Sequence, residues 1–497
     1  MMWLVLLLII FAILYIYMKR SLSYWENKNV VFEKPSIIFG NFINAALRKE
    51  QLGYTLKRLY DQMDDTLPYF GVYVFHSPYL VVKSRDMIKQ VLIKNFSSFI
   101  NRTEYSNVDV DPFSSNVLFS LKNDIWKTTR TKLSPIFTSG KMKLMLPLMK
   151  EVTNEMDDIL NEMEGKEIDV RDLSKRYSVD IISSCAFGIN AGSLKDANSE
   201  MKTMVTRMLD QRGFTRSFAV FAWFFCPILV DIFRIPFIEK ESSQYLAEVF
   251  KQSMKKRKEN NTKRNDLIDM LNELKEEEAQ NDQFEFDDIF MSAQAIAFFN
   301  AGTEGASILM TLSLYEMALN PDIQKELRKE IRQNIDTDGS LSYENLFGME
   351  YLDLVVKETL RKYPFVQFLR RFAEKDVLIE ETGLLVEKGT PVFVPLLAIH
   401  YDPKYYPNPE KFDPDRFKGD KIKDLQYVYL PFGDGPRKCI GDRFALMSAK
   451  IGLAMFLKNF EVTPGEQTEI PLKFNKAAFF LTPEKGVVFL KINKLIN

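Results

Sequence analysis

The sequence is poor in the residues that build disulfide frameworks and simple metal centres. Its 497 residues include three cysteines, Cys185, Cys226 and Cys439, and two histidines, His76 and His400. Three scattered cysteines do not make a disulfide framework, which favours a reducing compartment for the body of the chain. Neither histidine has a second histidine or a cysteine at metal-ligand spacing, so a zinc or non-haem iron centre is not expected.

The sequence also lacks an excess of one charge and a flexible linker. Lysine and arginine total 66 against 67 aspartates and glutamates, so no global field attracts nucleic acid. No stretch rich in proline, glycine and serine divides the body, and 46% of the residues are hydrophobic. We therefore expect one large domain with an extensive core.

The first residues form the longest apolar run. Residues 1–18 are all apolar or aromatic, and the basic pair Lys19 and Arg20 follows them. As a helix this run is roughly 27 Å long, close to the thickness of a bilayer core. We predict a transmembrane signal anchor at 1–18, with the basic pair on the cytoplasmic side, a linker at 19–40 and a catalytic domain at 41–497.

The remaining pattern is mainly helical with small sheets. The aromatic and β-branched run at 69–82 is broken by Ser77-Pro78 and predicts a hairpin. Strand-like runs at 377–398 are punctuated by Gly383, Gly389 and Pro391. Helical composition is found over residues 142–163, 246–278, 286–319, 323–335, 343–362 and 444–457. These ranges predict a mainly α fold with small β-sheets.

The segment PFGDGPRKCIG places Cys439 in a glycine-rich loop. Gly433, Gly435 and Gly441 provide the conformational freedom for a sharp turn. N–H groups aimed at a thiolate, in a dry environment, tune the redox potential of a bound iron. Phe432 is the candidate shield for the sulfur, and Arg437 is the candidate partner of a cofactor carboxylate.

The order Phe432, Gly435, Arg437, Cys439 and Gly441 resembles FxxGxRxCxG, the haem-binding motif of the cytochrome P450 superfamily. The resemblance implies the fold of that family, with haem b between a long distal helix and the cysteine loop. It implies that Cys439 is the thiolate ligand of the iron. The segments LSPIFTSGKMK, ETLRKYP and FGDGPR are most similar to insect microsomal members that act on foreign compounds.

Further motifs of the family occur in the expected order. Trp126 and Arg130 match WxxxR, and Arg371 matches another position, so the resemblance assigns all three to the haem propionates. Glu358-Thr-Leu-Arg361 resembles ExxR, and Arg416 lies in a segment resembling FxPxRF. These residues are expected to form a buried Glu-Arg-Arg network with a structural role.

The distal helix departs from the family pattern. Where the family has A-G-x-[D/E]-T-[T/S], this chain reads Ala301-Gly-Thr-Glu304-Gly305-Ala-Ser307. The acid is present as Glu304, whereas Gly305 replaces the threonine that helps to protonate bound oxygen. Thr303 and Ser307 are the candidate substitutes for that hydroxyl, as are water and the substrate's own hydroxyl.

The resemblance implies a monooxygenase that inserts one atom of O2 into lipophilic substrates such as xenobiotics, insecticides, plant toxins, terpenoids or fatty acids. Electrons are expected from NADPH through a flavoprotein reductase, with cytochrome b5 as a second candidate partner, at the cytoplasmic face of the endoplasmic reticulum membrane. The alternatives are an isomerase or dehydratase acting on peroxides without O2, and a poorly catalytic haem- or ligand-binding protein.

The family pattern also implies where substrate and reductase bind. Substrate contacts are expected from residues 103–119, 298–303, 365–369 and 477–480. A basic patch for the reductase is expected from Lys122, Lys127, Lys132, Lys438 and Arg443.

Overall fold

The structure is a computed structural model of the chain. It describes residues 2–102, 105–210, 213–260, 262–264, 266–278, 287–336 and 339–495. Within the first helix, the side chains at positions 4, 7, 8, 10, 11 and 14 lie outside the described part.

Helices account for most of the described chain, as the sequence predicts. In chain order they are α1 (Met2–Ser21), α2 (Tyr24–Asn27), α3 (Ile43–Ala46), α4 (Leu52–Gln62), α5 (Arg85–Lys89), α6 (Pro112–Asn116), α7 (Asn123–Leu133), α8 (Ser139–Glu162), α9 (Val170–Ile182), α10 (Glu200–Leu209), α11 (Phe214–Phe225), α12 (Pro227–Phe233), α13 (Lys240–Asn260), α14 (Leu267–Glu278), α15 (Asp288–Leu319), α16 (Pro321–Asn334), α17 (Tyr343–Gly348), α18 (Glu350–Lys362), α19 (Leu396–His400), α20 (Lys421–Asp424) and α21 (Asp442–Leu457).

The strands form small sheets. They are β1 (Tyr69–Val74), β2 (Ser77–Val82), β3 (Glu167–Asp169), β4 (Leu369–Phe372), β5 (Val377–Ile379), β6 (Leu384–Val386), β7 (Pro391–Val394), β8 (Phe460–Thr463) and β9 (Phe489–Lys494). In the described residues the sheet orders are β1-β2-β7-β4, β3-β9-β8 and β5-β6. The predicted class, mainly α with small sheets, is confirmed.

Local differences from the sequence pattern have simple causes. The β1–β2 hairpin turns at Phe75-His76 rather than at Ser77-Pro78, because Phe75 adopts a positive φ of 53° and Pro78 pairs with Tyr73 inside the strands. The predicted helix at 246–278 is two helices, α13 and α14, and the one at 343–362 divides at Met349 into α17 and α18.

The long helix α15 passes through the centre of the body. It begins at the cap residue Asp287, whose carboxylate accepts a hydrogen bond from the Phe290 amide at 2.6 Å, and it ends before Asn320-Pro321. Its side chains are buried on nearly every face, as expected for a helix that is apolar all round. The helices α9, α13, α18 and α21 pack against it.

The segment predicted as a linker is partly folded onto the body. Trp25 is buried, and its indole Nε1 donates a hydrogen bond to the Val72 carbonyl at 3.1 Å. Phe32 forms an isolated parallel β-bridge with Gly71 of β1. Added to Gly71, a Cβ would lie 2.5 Å from the indole, so this glycine permits the close approach of Trp25.

The first residues form a helix as predicted, but the predicted membrane span is not confirmed. In the described part of the chain, no helix is sufficiently long and apolar to cross a bilayer. The apolar run of α1 ends at Met18, and Lys19 and Arg20 occupy the last turn.

Candidate functional site

The loop before α21 directs backbone groups at the Cys439 sulfur. The Cys439 amide donates to the Phe432 carbonyl at 2.9 Å, and the Gly441 amide donates to the sulfur itself. Gly435 has a φ of +69°, and a Cβ there would lie 2.1 Å from the Leu92 carbonyl oxygen. Only glycine satisfies both conditions without displacing the neighbouring backbone.

Cys439 faces an internal space. Its side chain is accessible, yet it lies deep in the protein, and burial raises the pKa of its thiol. The hydrogen bond from Gly441 and the charges of Arg102 and Arg130 act in the opposite direction. A cation bound at the sulfur would remove the penalty of burying the thiolate.

Three arginines, Arg102, Arg371 and Arg437, lie together near this loop. Burial lowers the pKa of Arg371 well below its usual value, that of Arg437 to about 8 and that of Arg102 to about 10. Repulsion from Arg102 adds to the effect at the other two. In the described residues none of the three forms an ion pair with a carboxylate, and each Nε lacks a hydrogen-bond partner.

Arg437 is held by neutral groups. It donates to the Leu121 carbonyl at 2.8 Å and lies over the Trp126 ring, with 4.1 Å from its guanidinium carbon to the ring centroid. Trp126 is buried on α7, and Arg130, one turn later, is partly buried. Arg371 donates to the Arg370 carbonyl at 2.8 Å. The structure therefore brings Trp126, Arg371 and Arg437 into the same region.

The expected Glu-Arg-Arg network is confirmed. Both carboxylate oxygens of Glu358 accept hydrogen bonds from Arg361, at 2.7 and 2.9 Å, and Arg416 Nε lies 3.3 Å from Oε1. Arg361 also donates to the His400 carbonyl at 2.9 Å. Because Glu358 and Arg361 are fully buried and mutually paired, the network ties α18 to the segment before the cysteine loop.

One face of α15 opens onto the internal space. Ala297, Ala301 and Gly305 keep accessible surface in the middle of an otherwise buried helix, and their spacing of four places them on one face. We call these three residues the open face. Phe298 beside them contacts Phe444, just after the cysteine loop, with ring centroids 5.1 Å apart. This ring contact joins the helix of the open face to the start of α21, which follows the cysteine loop.

Gly305 leaves room on the open face. A Cβ at this position would meet no atom within 4 Å. Gly302 is different, because a Cβ there would lie 2.7 Å from the Ile182 side chain of α9. Gly302 thus serves helix packing, whereas Gly305 leaves free space on the open face.

The candidate substitutes for the missing hydroxyl do not lie on the open face. Thr303 and Ser307 are each two residues from Gly305, so a rotation of about 100° per residue turns them to the opposite side of α15. The Ser307 hydroxyl accepts a hydrogen bond from Arg171 Nη1 at 2.7 Å and donates to the Glu304 carbonyl at 3.1 Å. The Thr303 side chain is fully buried. The structure therefore places both hydroxyls on the side of α15 away from Gly305, and their part in proton delivery stays a prediction.

Glu304 is held in a buried ion pair. Its Oε1 pairs with Arg171, and Lys175 Nζ lies 3.7 Å from its Oε2. Burial would raise the pKa of this carboxyl, but the two cations hold it below its usual value. Glu304 is therefore a carboxylate at neutral pH.

Aromatic rings from the expected substrate segments meet in one cluster. Phe479 stacks on Phe224, with centroids 4.4 Å apart, and contacts Phe368 at 5.3 Å. Phe365 stacks on Phe480 at 4.7 Å. Three of the four predicted segments are described completely, whereas Thr103 and Glu104 of the first lie outside the described residues.

Sequence reasoning missed Arg102, Arg171 and Phe224. Arg102 donates to the Arg437 carbonyl, but it lies in a segment without a motif. Arg171 is one of many basic residues on amphipathic helices, and its burial shows only in three dimensions. Phe224 lies in the aromatic run FAWFF, which was a usable signal.

Comparison with known proteins identifies relatives along almost the whole chain. The family model described as Cytochrome P450 matches residues 32–490. Cytochrome P450 6k1 of Blattella germanica is 38% identical, covering 97% of this chain and 95% of its own length. Probable cytochrome P450 6a13 of Drosophila melanogaster is 38% identical, with 97% and 98% covered. Cytochrome P450 6j1 of Blattella germanica is 35% identical, with 97% and 96% covered.

Proposed function

Because this chain belongs to the cytochrome P450 family of haem monooxygenases, we propose that Cys439 is the thiolate ligand of its haem iron. The family resemblance stated from the motifs is confirmed. Our proposal extends to haem b as the cofactor, to the residues that hold it, and to its substrates and electron donor.

The arginine cluster is the observation that carries this proposal. Haem b has two propionate carboxylates. Arg371 and Arg437 are buried, Arg102 is partly buried, and none of the three has a carboxylate partner among the described residues. Charge-assisted hydrogen bonds to the propionates would supply the missing anions. Trp126 and Arg130 on α7 complete the expected set. The residues present therefore fit the group.

On the proximal side, the protein holds the sulfur. The Gly441 amide donates to Cys439, and Phe432 packs against the hydrophobic core beside it. When bound, the haem supplies the oxidising chemistry that activates dioxygen. The chain orients the thiolate, limits its contact with water and offers the open face of α15 for oxygen and substrate.

We propose lipophilic substrates, in the range of xenobiotics, insecticides, plant toxins, terpenoids and fatty acids. Phe224, Phe368 and Phe479 form a wall of aromatic surface, and pockets of this kind select apolar ligands. The extra space at Gly305 favours bulky ones.

We propose that electrons arrive from NADPH through a flavoprotein reductase, with cytochrome b5 as a second partner. Lys127, Lys438 and Arg443 are exposed around the cysteine loop. Lys127 belongs to α7 and Arg443 to α21, and Arg443 Nη1 lies 3.3 Å from Ser139 Oγ at the start of α8. A surface with this charge favours an acidic partner.

We propose that the protein associates with the cytoplasmic face of the endoplasmic reticulum membrane. Apolar side chains of α1 are exposed, and so are Ile37, Ile38, Phe214, Ile228 and Phe233 on the body. The guanidinium carbon of Arg48 lies 4.7 Å from the centroid of the Phe214 ring. This contact connects the segment after Ile37 and Ile38 to α11, which begins at the exposed Phe214. Exposed apolar patches of this kind bind membranes or partners. Flotation of the full chain with lipid vesicles tests the association, and a F214S/I228S/F233S variant should float less.

Turnover tests the proposed function. The purified holoenzyme, reductase, NADPH and O2 should yield products that carry one oxygen atom from labelled dioxygen. Conversion of an organic hydroperoxide without reductase, together with no NADPH-dependent product, would instead support the isomerase alternative that the missing hydroxyl at Gly305 favours. Tight ligand binding with neither reaction would support the poorly catalytic alternative.

A further inference from the structure

A cavity that is separate from the cysteine loop opens beside the end of α11. Its volume is about 430 Å³, within the usual range of about 300–1,000 Å³ for small-molecule sites. The described residues that line it include no member of the open face and none of residues 432–441. We call this cavity the outer pocket, and its border includes Ser77, Tyr79, Tyr105, Trp223, Phe225 and Arg370.

One wall of the outer pocket consists of rings whose polar groups are already bonded within the protein. The Trp223 and Tyr105 rings meet edge to face, with centroids 4.9 Å apart. The indole Nε1 donates to the Ile235 carbonyl at 2.7 Å, and the Tyr105 hydroxyl donates to the Asp231 carboxylate at 2.7 Å. Because these polar groups have partners, the rings offer apolar surface to a ligand, and aromatic ligands gain most from it.

The opposite wall is fixed by the sheet. Tyr79 of β2 is buried and stacks on Phe393 of β7, with centroids 4.7 Å apart. Across from it, Phe225 ends α11, with its ring centroid 6.5 Å from that of Tyr79. A cavity between rings that are held in place is preformed, so a ligand does not have to order its walls on binding.

The cation in the wall is held by rings and backbone carbonyls. The guanidinium carbon of Arg370 lies 5.0 Å from the Phe372 centroid and 5.1 Å from the Phe224 centroid. Its Nε donates to the Arg102 carbonyl at 3.3 Å, and its Nη1 donates to the Phe224 carbonyl. A planar guanidinium among rings adds a flat surface on which another ring can stack.

The acid at the rim is paired as well. Glu387 accepts a hydrogen bond from the Tyr24 hydroxyl at 2.8 Å and forms an ion pair with Lys28. The outer pocket therefore has charges of both signs on its border, Arg370 and Glu387. A border of this kind favours a ligand without net charge.

We propose that the outer pocket is a second ligand site, which binds a neutral, planar aromatic molecule while the space at Cys439 is occupied independently. Phe224 is common to both regions, because it lines the outer pocket and stacks on Phe479, with centroids 4.4 Å apart. A ligand in the outer pocket therefore contacts the aromatic cluster of the proposed substrate side. Binding in the pocket stands by itself, whereas its coupling to the substrate side through Phe224 rests on the proposed function.

The test fills the outer pocket from an exposed position. Ser77 begins β2, lines the pocket and is exposed, and strands tolerate tryptophan well. The probe is flavone, a neutral planar aromatic, in equilibrium dialysis against the full-length holoprotein with phenylimidazole bound at the iron. The unchanged protein should bind flavone under these conditions. S77W should bind it roughly tenfold more weakly, because the indole takes up the space of the ligand.

The matched control is T262W. Thr262 is exposed and does not line the outer pocket, so T262W adds the same ring elsewhere and should bind flavone as the unchanged protein does. Equal affinities of S77W and T262W for flavone would overturn the proposal, and so would the absence of flavone binding to the unchanged protein. A chain that purifies without haem would refute the proposed function, whereas the same comparison without phenylimidazole would still decide on the outer pocket.

The coupling through Phe224 has its own readout. Flavone should change the affinity of the unchanged holoprotein for phenylimidazole by roughly fivefold, as measured from the shift of the Soret band. The same addition should change the affinity of S77W less. Equal changes in the two proteins would overturn the coupling.

A crystal structure of the unchanged protein with flavone gives a readout that does not depend on the folding of a variant. Flavone in contact with Tyr79, Trp223 and Phe225 supports the proposal. Flavone at the iron alone overturns it, as does a lipid acyl chain that fills the outer pocket in place of flavone.

Discussion

The guanidinium carbon of Arg437 lies 4.1 Å from the centroid of the Trp126 ring. An aromatic face and backbone carbonyls hold this cation, and the described residues provide it with no carboxylate. Arg102 and Arg371 likewise donate to backbone carbonyls, and the described residues provide neither with a carboxylate. The protein thus keeps concentrated positive charge in its interior for an anionic group to neutralise.

Replacing Arg437 should have opposite effects on the haem-free and haem-bound protein. R437Q removes a buried cation that Arg102 and Arg371 repel, so the haem-free protein should unfold at a higher temperature. The holoprotein should lose haem more readily, by roughly tenfold in affinity, because a charge-assisted hydrogen bond contributes about 1.5–3 kcal/mol. Calorimetry and haem transfer to a scavenger protein measure the two effects. R443Q, at an exposed arginine, should change neither, and equal destabilisation of both forms by R437Q would contradict the account.

Two substitutions of Gly305 distinguish the effect of a more rigid backbone on stability from the effect of a hydroxyl on product formation. Its open surroundings accept a side chain, so G305A should raise the unfolding free energy by about 0.5–1 kcal/mol. G305T adds a hydroxyl on the open face and should form more product per NADPH than G305A, as measured by product yield and peroxide release. If G305T and G305A form equal amounts of product per NADPH, the missing hydroxyl has no role in proton delivery.

The Arg171–Glu304 pair should show strong thermodynamic coupling. R171M leaves a buried carboxylate with Lys175 alone and should lower the unfolding free energy by about 3 kcal/mol. The double variant R171M/E304Q should lose less than R171M by itself, as seen in denaturant titrations. R176M is the control on the same helix, because Asp172, the partner of Arg176, is one-third exposed. R176M should lower the unfolding free energy by about 1 kcal/mol. Additive losses would show that the pair is not coupled.

His400 should make stability depend on pH. Its Nε2 accepts a hydrogen bond from the Leu430 amide at 3.1 Å, and burial lowers its pKa to about 3. The unfolded chain binds a proton here near pH 6.5, whereas the folded protein does so only near pH 3. Stability is therefore fully present above pH 6.5 and falls by about 1.4 kcal/mol per pH unit below it. Between pH 6.5 and pH 3, the unfolding free energy of the unchanged protein should fall with this slope relative to that of H400Q. Parallel plots of unfolding free energy against pH for the two proteins would contradict the lowered pKa of His400.

Much of the site could be predicted from short sequence motifs. The loop FGDGPRKCIG fixes the turn at Cys439 because Gly435 leaves no room for a side chain against Leu92. ExxR predicts the Glu358–Arg361 pair because residues three apart share a helix face. The mainly helical fold follows from long amphipathic or apolar runs, although helix ends such as Met349 depend on tertiary packing.

The distal side was less predictable because it depends on which way each residue of α15 faces. Thr303 and Ser307 were reasonable candidates by proximity in sequence, but rotation around the helix separates them from Gly305. Arg171, which holds Glu304, lies more than 130 residues away in the chain. No local pattern identifies such a partner.

The central claim is that Cys439 is a thiolate ligand of haem iron. The carbon monoxide difference spectrum of the reduced holoprotein tests it most directly, with C439H as the reference for an imidazole ligand. The account predicts a Soret band at the long-wavelength position of thiolate-bound haem for the unchanged protein, and at the neutral-imidazole position for C439H. A Soret band of the unchanged holoprotein at the neutral-imidazole position would contradict it.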